Sequence, residues 1–420
     1  MIGRKVAVIG QGYVGLPLAM RAVEVGYRVV GLDVDERRIK QLAVGESFAQ
    51  DVSPQRLAAA LDTGRYLPTC DYAEAAGFDV CVISVPTPLR DAAPDLSCIE
   101  SAVRAVGGYV RAGCTVILES TTYPGTTEDW VSPLIAQASG LRAPGDFYLG
   151  YSPERIDPGN RRWRLENTPK IVSGVDDASL EKVREFYDGI VQATVPVSSP
   201  RTAELAKLLE NTFRQVNIAL VNELAVASRG LGVDPWEAID AAATKPFGYM
   251  PFRPGPGVGG HCLPVDPVYL AWQVRRTSGC SLRFVELAND INNQMPRHVV
   301  DRVVAGLNRR GKPLLGARLL LLGLSYKRDT GDVRESPALL VAEAFAAAGA
   351  RLRAVEPYAE PHRVPCGIDL VDLTALELAE ADAVVLLTDH SEFDYELVER
   401  MADYVFDTRD RCRGRNVERL

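Results

Sequence analysis

Residues 10 to 15 read Gly10-Gln11-Gly12-Tyr13-Val14-Gly15, and Asp33 follows 18 residues after Gly15. Glycines at this spacing suit a phosphate-binding turn. Gly10 permits a tight bend, Gly12 lets a pyrophosphate approach the backbone, and Gly15 lets a helix lie close on a strand. The carboxylate of Asp33 could bind both ribose hydroxyls, which favours NAD over NADP. The same glycine pattern alone could be a structural turn. Here the apolar run Val6-Ala7-Val8-Ile9 precedes it and a helical pattern follows, so it predicts a dinucleotide site.

A second group surrounds Cys262 in Pro254-Gly255-Pro256-Gly257-Val258-Gly259-Gly260-His261-Cys262-Leu263-Pro264-Val265-Asp266. Such a loop can bring backbone close to a ligand, and it sets a thiol four residues before a carboxylate. Most cysteines are buried and inert, but this setting suits a nucleophile. The neighbouring His261 is not expected to pair with it, because adjacent side chains diverge. A third group, Glu204, Lys207, Asn211 and Asn222, falls within about 60° on a helix read at 100° per residue. That polar stripe either faces water or lines a buried pocket.

Alternating elements must position these groups. Strands are predicted at residues 5–9, 28–32, 80–85 and 115–118, with helices between them, and runs at 170–173 and 193–197 extend the same parallel sheet. The first helix runs to Val25 with Gly26 at its end, and Ser198-Ser199-Pro200 opens a helix over 201–230. After the breaker-rich segment 245–267, helical patterns return over 283–308, and strands at 318–322, 352–355, 383–387 and 404–406 build a second, smaller α/β domain.

A length of 420 residues implies two or three domains. The net charge of −8, from 47 basic and 55 acidic side chains, argues against nucleic acid as a partner. No apolar stretch long enough to span a membrane and no signal-peptide pattern is present, so a cytoplasmic protein without membrane association is expected. The eight cysteines form no CxxC pair or zinc-ligand spacing. No metal site is expected, and most of the thiols are expected to be reduced and buried.

Taken together, Gly10 to Gly15, Val85-Pro86-Thr87-Pro88, Glu119-Ser120-Thr121, Ser152-Pro153-Glu154-Arg155, the helix bearing Lys207 and Asn211, the Gly-Gly-His-Cys loop and Gly323-Leu324-Ser325-Tyr326-Lys327-Arg328-Asp329-Thr330 resemble the UDP-glucose/GDP-mannose dehydrogenase family. The blocks keep the family's order nearly end to end. The resemblance implies an α/β fold with an N-terminal Rossmann-like dinucleotide domain over 1–198, a central long-helix domain over 199–308 and a C-terminal Rossmann-like nucleotide-sugar domain over 309–420. It implies four-electron oxidation of a hexose carbon 6 alcohol to a carboxylate, with NAD as cofactor, a nucleotide-diphosphate sugar as substrate, and a homodimer or higher homo-oligomer.

Residue roles follow from the same resemblance. Cys262 matches the nucleophile that forms a thiohemiacetal and then a thioester; Lys207 and Asn211 match groups that stabilise oxyanions. Asp266 matches an aspartate that works with the lysine and a water, Thr121 the residue holding that water, and Glu154 a glutamate near thioester hydrolysis. Tyr13, Val14, Arg38, Val85, Pro86, Thr87, Thr121 and Arg334 join the glycines and Asp33 as cofactor contacts. Glu154, Arg155, Lys207, Asn211, Arg253, Gly259, Tyr326 and Lys327 match substrate contacts.

Val265, the Gly-His before Cys262 and Pro158 depart from the UDP-glucose branch, whereas the string from Lys245 to Phe252 and the loop after it are more similar to the UDP-N-acetylglucosamine branch. UDP-N-acetylglucosamine is therefore the favoured substrate, with UDP-glucose or dTDP-glucose as alternatives. A two-electron hydroxyacid-type dehydrogenase and a non-catalytic NAD sensor are readings of other classes. Counting NADH formed per sugar separates them, with two, one and zero expected.

Overall fold

The computed structural model describes residues 3–49, 51–157, 160, 162–260 and 262–420. Pro158 and His261, singled out above, lie outside the described residues. The chain divides into two compact units, residues 1–210 with 268–278 and residues 211–267 with 279–420.

The first unit alternates strands and helices: β1 (Lys5–Ile9), α1 (Gly15–Glu24), β2 (Arg28–Leu32), α2 (Glu36–Ala43), α3 (Pro54–Asp62), β3 (Tyr66–Thr69), β4 (Val80–Ile83), a short hairpin of β5 (Leu89–Arg90) and β6 (Ala93–Pro94), and α4 (Ser97–Gly107). It continues through β7 (Thr115–Leu118), α5 (Ser132–Ser139), β8 (Tyr148–Tyr151), β9 (Lys170–Gly174), α6 (Asp177–Asp188) and β10 (Thr194–Pro196). The sheet order is β10-β9-β8-β7-β4-β1-β2-β3. Strand order reverses between β1 and β4, which opens a crevice beyond their carboxyl ends, where open α/β sheets bind ligands. One expectation needs correction: β9 runs antiparallel to β8, so the sheet is mixed rather than parallel throughout.

The central strands are continuous apolar runs because helices cover both sheet faces. Val6, Val8, Leu16, Leu18, Val29 and Val82 are buried in one cluster. Each buried Val or Leu side chain contributes about 1.5–3 kcal/mol relative to its exposed state. Helix starts follow local chemistry. The Asp35 carboxylate accepts from the Arg37 and Arg38 amides to cap α2, and Ser53 caps α3 ahead of Pro54.

A long helix, α7 (Pro200–Leu231), begins in the first unit and ends in the second. Ser199 Oγ accepts from the Thr202 amide, as a capping serine should. The second unit continues with α8 (Pro235–Ala243), the start of α9 (Asp266–Ser278), α10 (Arg283–Arg309), β11 (Arg318–Leu322), α11 (Pro337–Ala347), β12 (Arg351–Val355), β13 (Asp369–Leu370), α12 (Ala375–Glu380), β14 (Ala383–Leu386), α13 (Tyr395–Met401), β15 (Val405–Asp407) and β16 (Val417–Arg419). Its sheet, ordered β13-β12-β11-β14-β15-β16, is parallel throughout. The order again reverses beside the first strand, between β11 and β14. Leu319, Leu321, Val341, Phe345 and Phe406 fill one face, and Leu320, Leu322, Val384 and Val398 fill the other.

The expectation that most thiols are buried is also corrected. Cys81, Cys114 and Cys412 are buried, but Cys70, Cys262, Cys280 and Cys366 are exposed. The exposed ones lie in turns and loops, where no second layer covers the side chain. Among the described residues no helix is long and apolar enough to cross a membrane.

Candidate active site

Gly10 takes φ +91°, a conformation that favours glycine, and a β-carbon there would lie 2.5 Å from the Ser84 carbonyl oxygen. Glycine is thus needed to let the ends of β1 and β4 meet. Gly15 meets the Gly10 carbonyl and Ser84 Oγ in the same way, whereas a β-carbon on Gly12 would face open space. The N-terminus of α1 has no side-chain cap, since Val14 occupies that position. An uncapped helix start beside an open glycine suits a pyrophosphate, so these residues fit the expected NAD.

Asp33, buried at the end of β2, accepts the Gln11 amide at 2.8 Å and the Arg38 guanidinium at 2.8 Å on Oδ2, and the Asp35 amide at 3.0 Å on Oδ1. A carboxylate offers about four lone-pair positions. Three are taken, so binding both ribose hydroxyls requires one of these three partners to give way. Arg38 also lies over the Phe48 ring, 5.2 Å from its centroid, and Tyr13 meets the same ring edge-on. Val85 is half-buried, Pro86 exposed and Thr87 buried in the segment leaving β4, and Ser120 Oγ donates to the Val85 carbonyl at 2.8 Å.

Glu154 is buried after β8, and its carboxylate accepts from the Ile156 amide. Arg155 reaches Glu210 at 2.7 Å and the Pro169 carbonyl at 2.7 Å. Thr121 is half-buried beyond β7. The segment after Thr121 is held by Glu204 of α7. Glu204 Oε2 accepts the Gly125 amide at 2.6 Å, and its Oε1 accepts the Thr127 amide at 2.9 Å and hydroxyl at 2.7 Å. Burial nevertheless pushes the Glu204 carboxyl up to about 7. Lys207, one turn further, is 8% exposed and has no ion-pair partner among the described residues, so it is no solvated surface lysine.

In the second unit, Asn211 and Asp266 are both buried, and Asn211 Nδ2 donates to Asp266 Oδ2 at 2.6 Å. The Cys262 carbonyl accepts the Val265 amide at 3.2 Å and the Asp266 amide at 2.8 Å. One turn therefore joins the exposed thiol to the acid that opens α9. The polar stripe of α7 is buried, so it does not face water. Asn222 Oδ1 accepts the Gly255 amide at 2.9 Å and its Nδ2 donates to Asn292 at 2.9 Å, which anchors the start of the cysteine loop. A β-carbon on Gly259 would meet the Glu335 carbonyl at 2.6 Å, and one on Gly260 the Tyr326 ring at 2.7 Å. These glycines let the loop pack on the segment after β11.

That segment starts at Gly323, whose φ of +82° repeats the turn at Gly10. Glu356, at the end of β12, accepts the Leu324 and Ser325 amides at 2.7 and 2.9 Å, as Asp33 accepts Gln11. His390 is fully buried, takes the Asp329 amide on Nδ1 at 3.0 Å, and sets Nε2 3.1 Å from Glu356. Both fix the backbone on either side of half-buried Lys327. Arg334 is exposed and bidentate on Asp332, and Arg253 is exposed and paired with Asp240. Sequence reasoning missed Glu356 and His390 in this role. The acidic residue closing β12 was the available signal, since it repeats the place of Asp33.

Three descriptions of the UDP-glucose/GDP-mannose dehydrogenase family match the chain in order: the NAD binding domain over residues 4–191, the central domain over 201–294 and the UDP binding domain over 320–413. The chain belongs to this family and is an NAD-binding dehydrogenase. It is 35% identical over 394 residues to the UDP-N-acetyl-D-glucosamine 6-dehydrogenase of Salmonella typhi, covering 93% of this chain and 90% of that one. It is 36% identical over 392 residues to the UDP-N-acetyl-D-mannosamine dehydrogenase of Pyrococcus horikoshii, again covering 93% and 90%. The solved structure of UDP-D-ManNAc dehydrogenase from Pyrococcus horikoshii superimposes with a TM-score of 0.90 at 33% identity, covering 99% of each chain.

Proposed function

We propose that the protein oxidises carbon 6 of UDP-N-acetylglucosamine from alcohol to carboxylate through a thioester on Cys262. The observation that carries this reading is the Asn211–Asp266 hydrogen bond at 2.6 Å, joined by a single turn to the exposed Cys262. NAD, when bound, accepts one hydride in each of two oxidations.

The residues of the chain do the rest. Asp266, oriented by Asn211, takes the alcohol proton through a water that Thr121 holds, and the Lys207 cation stabilises negative charge developing on oxygen. The Cys262 thiol adds across the aldehyde carbonyl, forming a carbon–sulfur bond and placing the proton on oxygen. Loss of that proton and of a hydride leaves a thioester. Water then adds to the thioester carbon, the sulfur leaves as thiolate, and Glu154 takes the proton from water. The sum is one alcohol, one water and two NAD giving one carboxylate, two NADH and three protons.

Asp33, Arg38 and the glycine turn hold the dinucleotide together with Tyr13, Val14, Val85 to Thr87 and Arg334. Arg155, Arg253, Gly259, Tyr326 and Lys327 contact the sugar nucleotide. The string from Lys245 to Phe252 and the N-acetylhexosamine relatives support an N-acetylated sugar. The relative with a TM-score of 0.90 favours UDP-N-acetylmannosamine as the second reading.

The reading extends to a cytoplasmic homodimer. The exposed side of α7 carries Leu205, Leu209, Phe213, Leu220, Leu224 and Leu231, an apolar stripe suited to a second copy. The test is NADH formation from UDP-N-acetylglucosamine, UDP-N-acetylmannosamine, UDP-glucose and dTDP-glucose. Two NADH per UDP-N-acetylglucosamine consumed, at a higher kcat/KM than for the other three, is the expected result. One NADH per sugar would leave Cys262 without its role.

A further inference from the structure

Beside Glu154 in the first unit lie buried ionisable groups that have no part in the reaction as written. Glu119 follows the last residue of β7 and Lys170 opens β9, and both are almost fully buried. The Lys170 ammonium pairs with Glu119 and lies 3.5 Å from Glu154 Oε2. It also stands 5.1 Å from the centre of the Tyr187 ring, which α6 supplies. Glu119 Oε2 and the Tyr187 hydroxyl are buried without a hydrogen bond of ordinary geometry among the described residues.

A purely architectural tie between strands would need only one carboxylate, and an apolar pair would often serve as well, because desolvation offsets much of a buried ion pair's attraction. Two carboxylates on one ammonium leave an excess negative charge unless a proton is held. Burial pushes the Glu119 carboxyl up to about 7, with Lys170 opposing and Glu154 adding to the rise. Lys170, Glu154 and Tyr187 are the titratable groups that face Glu119. Burial works against the Lys170 ammonium, but the two glutamates outweigh it and raise its pKa.

We propose that Lys170 and Glu119 are positioning residues for Glu154: Lys170 aims its carboxylate, and Glu119 supplies the negative charge that draws a proton onto it during thioester hydrolysis. The inference rests on the reading of Glu154 given above. With Glu119 ionised, the cluster carries one net negative charge, and it becomes neutral when Glu154 takes a proton from the attacking water. Oxygen bonds to the thioester carbon, the carbon–sulfur bond breaks, and the electron pair leaves with the Cys262 sulfur. The carboxylic acid product then loses its proton to solvent, and Glu154 returns its own to the thiolate. With Glu119 protonated, proton uptake would leave a buried net positive charge, so hydrolysis slows as pH falls through the Glu119 titration.

The test follows the Cys262 adduct in single turnovers with NAD and UDP-N-acetylglucosamine, or whichever of the four sugar nucleotides reduces NAD fastest, by acid quench and intact-protein mass spectrometry between pH 6 and 9. In the wild type, adduct decay is expected to rise roughly tenfold as pH passes neutrality, and in Glu119→Gln to stay at the slow rate throughout, a modest share of what general base catalysis supplies. Lys170→Arg should restore decay relative to Lys170→Met. Should Lys170→Met fail to fold, the double variant with Glu119→Gln, which removes both charges together, should fold and show the slow, flat profile. A Glu119→Gln enzyme with wild-type decay and pH profile, while Glu154→Gln still accumulates adduct, overturns this inference alone. Absence of adduct in Glu154→Gln overturns the reading of Glu154 itself.

Discussion

Cys262 and Asp33 belong to different units, so their substitutions should separate chemistry from cofactor binding. Cys262→Ala is expected to abolish NADH formation and leave NAD affinity within twofold of wild type by calorimetry, because the proposed function makes its thiol a nucleophile and not a cofactor contact. Asp33→Ala should do the reverse, raising the Kd for NAD about tenfold and changing saturated turnover little. Hydrogen bonds to ribose are similar in ground and transition states and so act on binding. Loss of NAD binding in Cys262→Ala would make the thiol a structural one. For Asp33, three acceptor positions already filled mean that part of the effect comes from the freed Gln11 amide and Arg38, which Asp33→Asn would partly spare.

Helix α7 buries Glu204, Lys207, Asn211 and Asn222 and leaves many of its apolar groups exposed. Glu204 has a pH signature because its carboxyl is raised from 4.5 to about 7, with burial the largest cause. Between those values the folded state holds a proton that the unfolded chain has lost, so Glu204 makes stability fall as pH rises through this window. The loss is complete above it. Glu204→Gln, which stays neutral, should therefore gain relative to wild type as pH goes from 5 to 8. Melting temperatures at both pH values check the sign, and a gap that widens against the variant would refute it. Further along the helix, Asn222→Ala leaves the Gly255 amide and Asn292 without their partner. A loss of about 2 kcal/mol in urea unfolding is expected from such buried unsatisfied groups, accompanied by a raised KM because the cysteine loop loses its anchor.

At the scale of the molecule, the two units repeat one device. In each, a strand paired in parallel on both sides ends at a positive-φ glycine, and an acidic residue just after the next strand grips the loop that follows. Gly10 with Asp33 and Gly323 with Glu356 are the two instances, which prepares two crevices, one in each unit. The exposed stripe of α7 extends over much of a helix about 48 Å long. Leu209→Lys combined with Leu224→Lys should convert a dimer to monomers in sedimentation analysis while the far-ultraviolet circular dichroism stays unchanged. A monomeric wild type would remove the dimer from the proposed function.

Short-range spacing made much of this chain legible. The glycine turn, β2 at 28–32, β7 at 115–118 and β11 at 318–322 follow from apolar runs bounded by turn residues, since each depends on neighbours in the chain. Strand β3 escaped because it is short, lies at the sheet edge and contains Pro68; β8 escaped because Gly150 interrupts its run, and that glycine is needed where the Ser173 backbone comes close. Periodicity placed Glu204, Lys207, Asn211 and Asn222 on one face of α7 but was silent on whether that face was covered. Burial depends on groups distant in sequence: Asn292 lies 70 residues beyond Asn222, and Lys170 reaches back 51 residues to Glu119. Helical and strand periods are local properties of the backbone, whereas the desolvation and charge pairing that give a side chain its chemistry are set by whichever remote segments the folded chain brings against it.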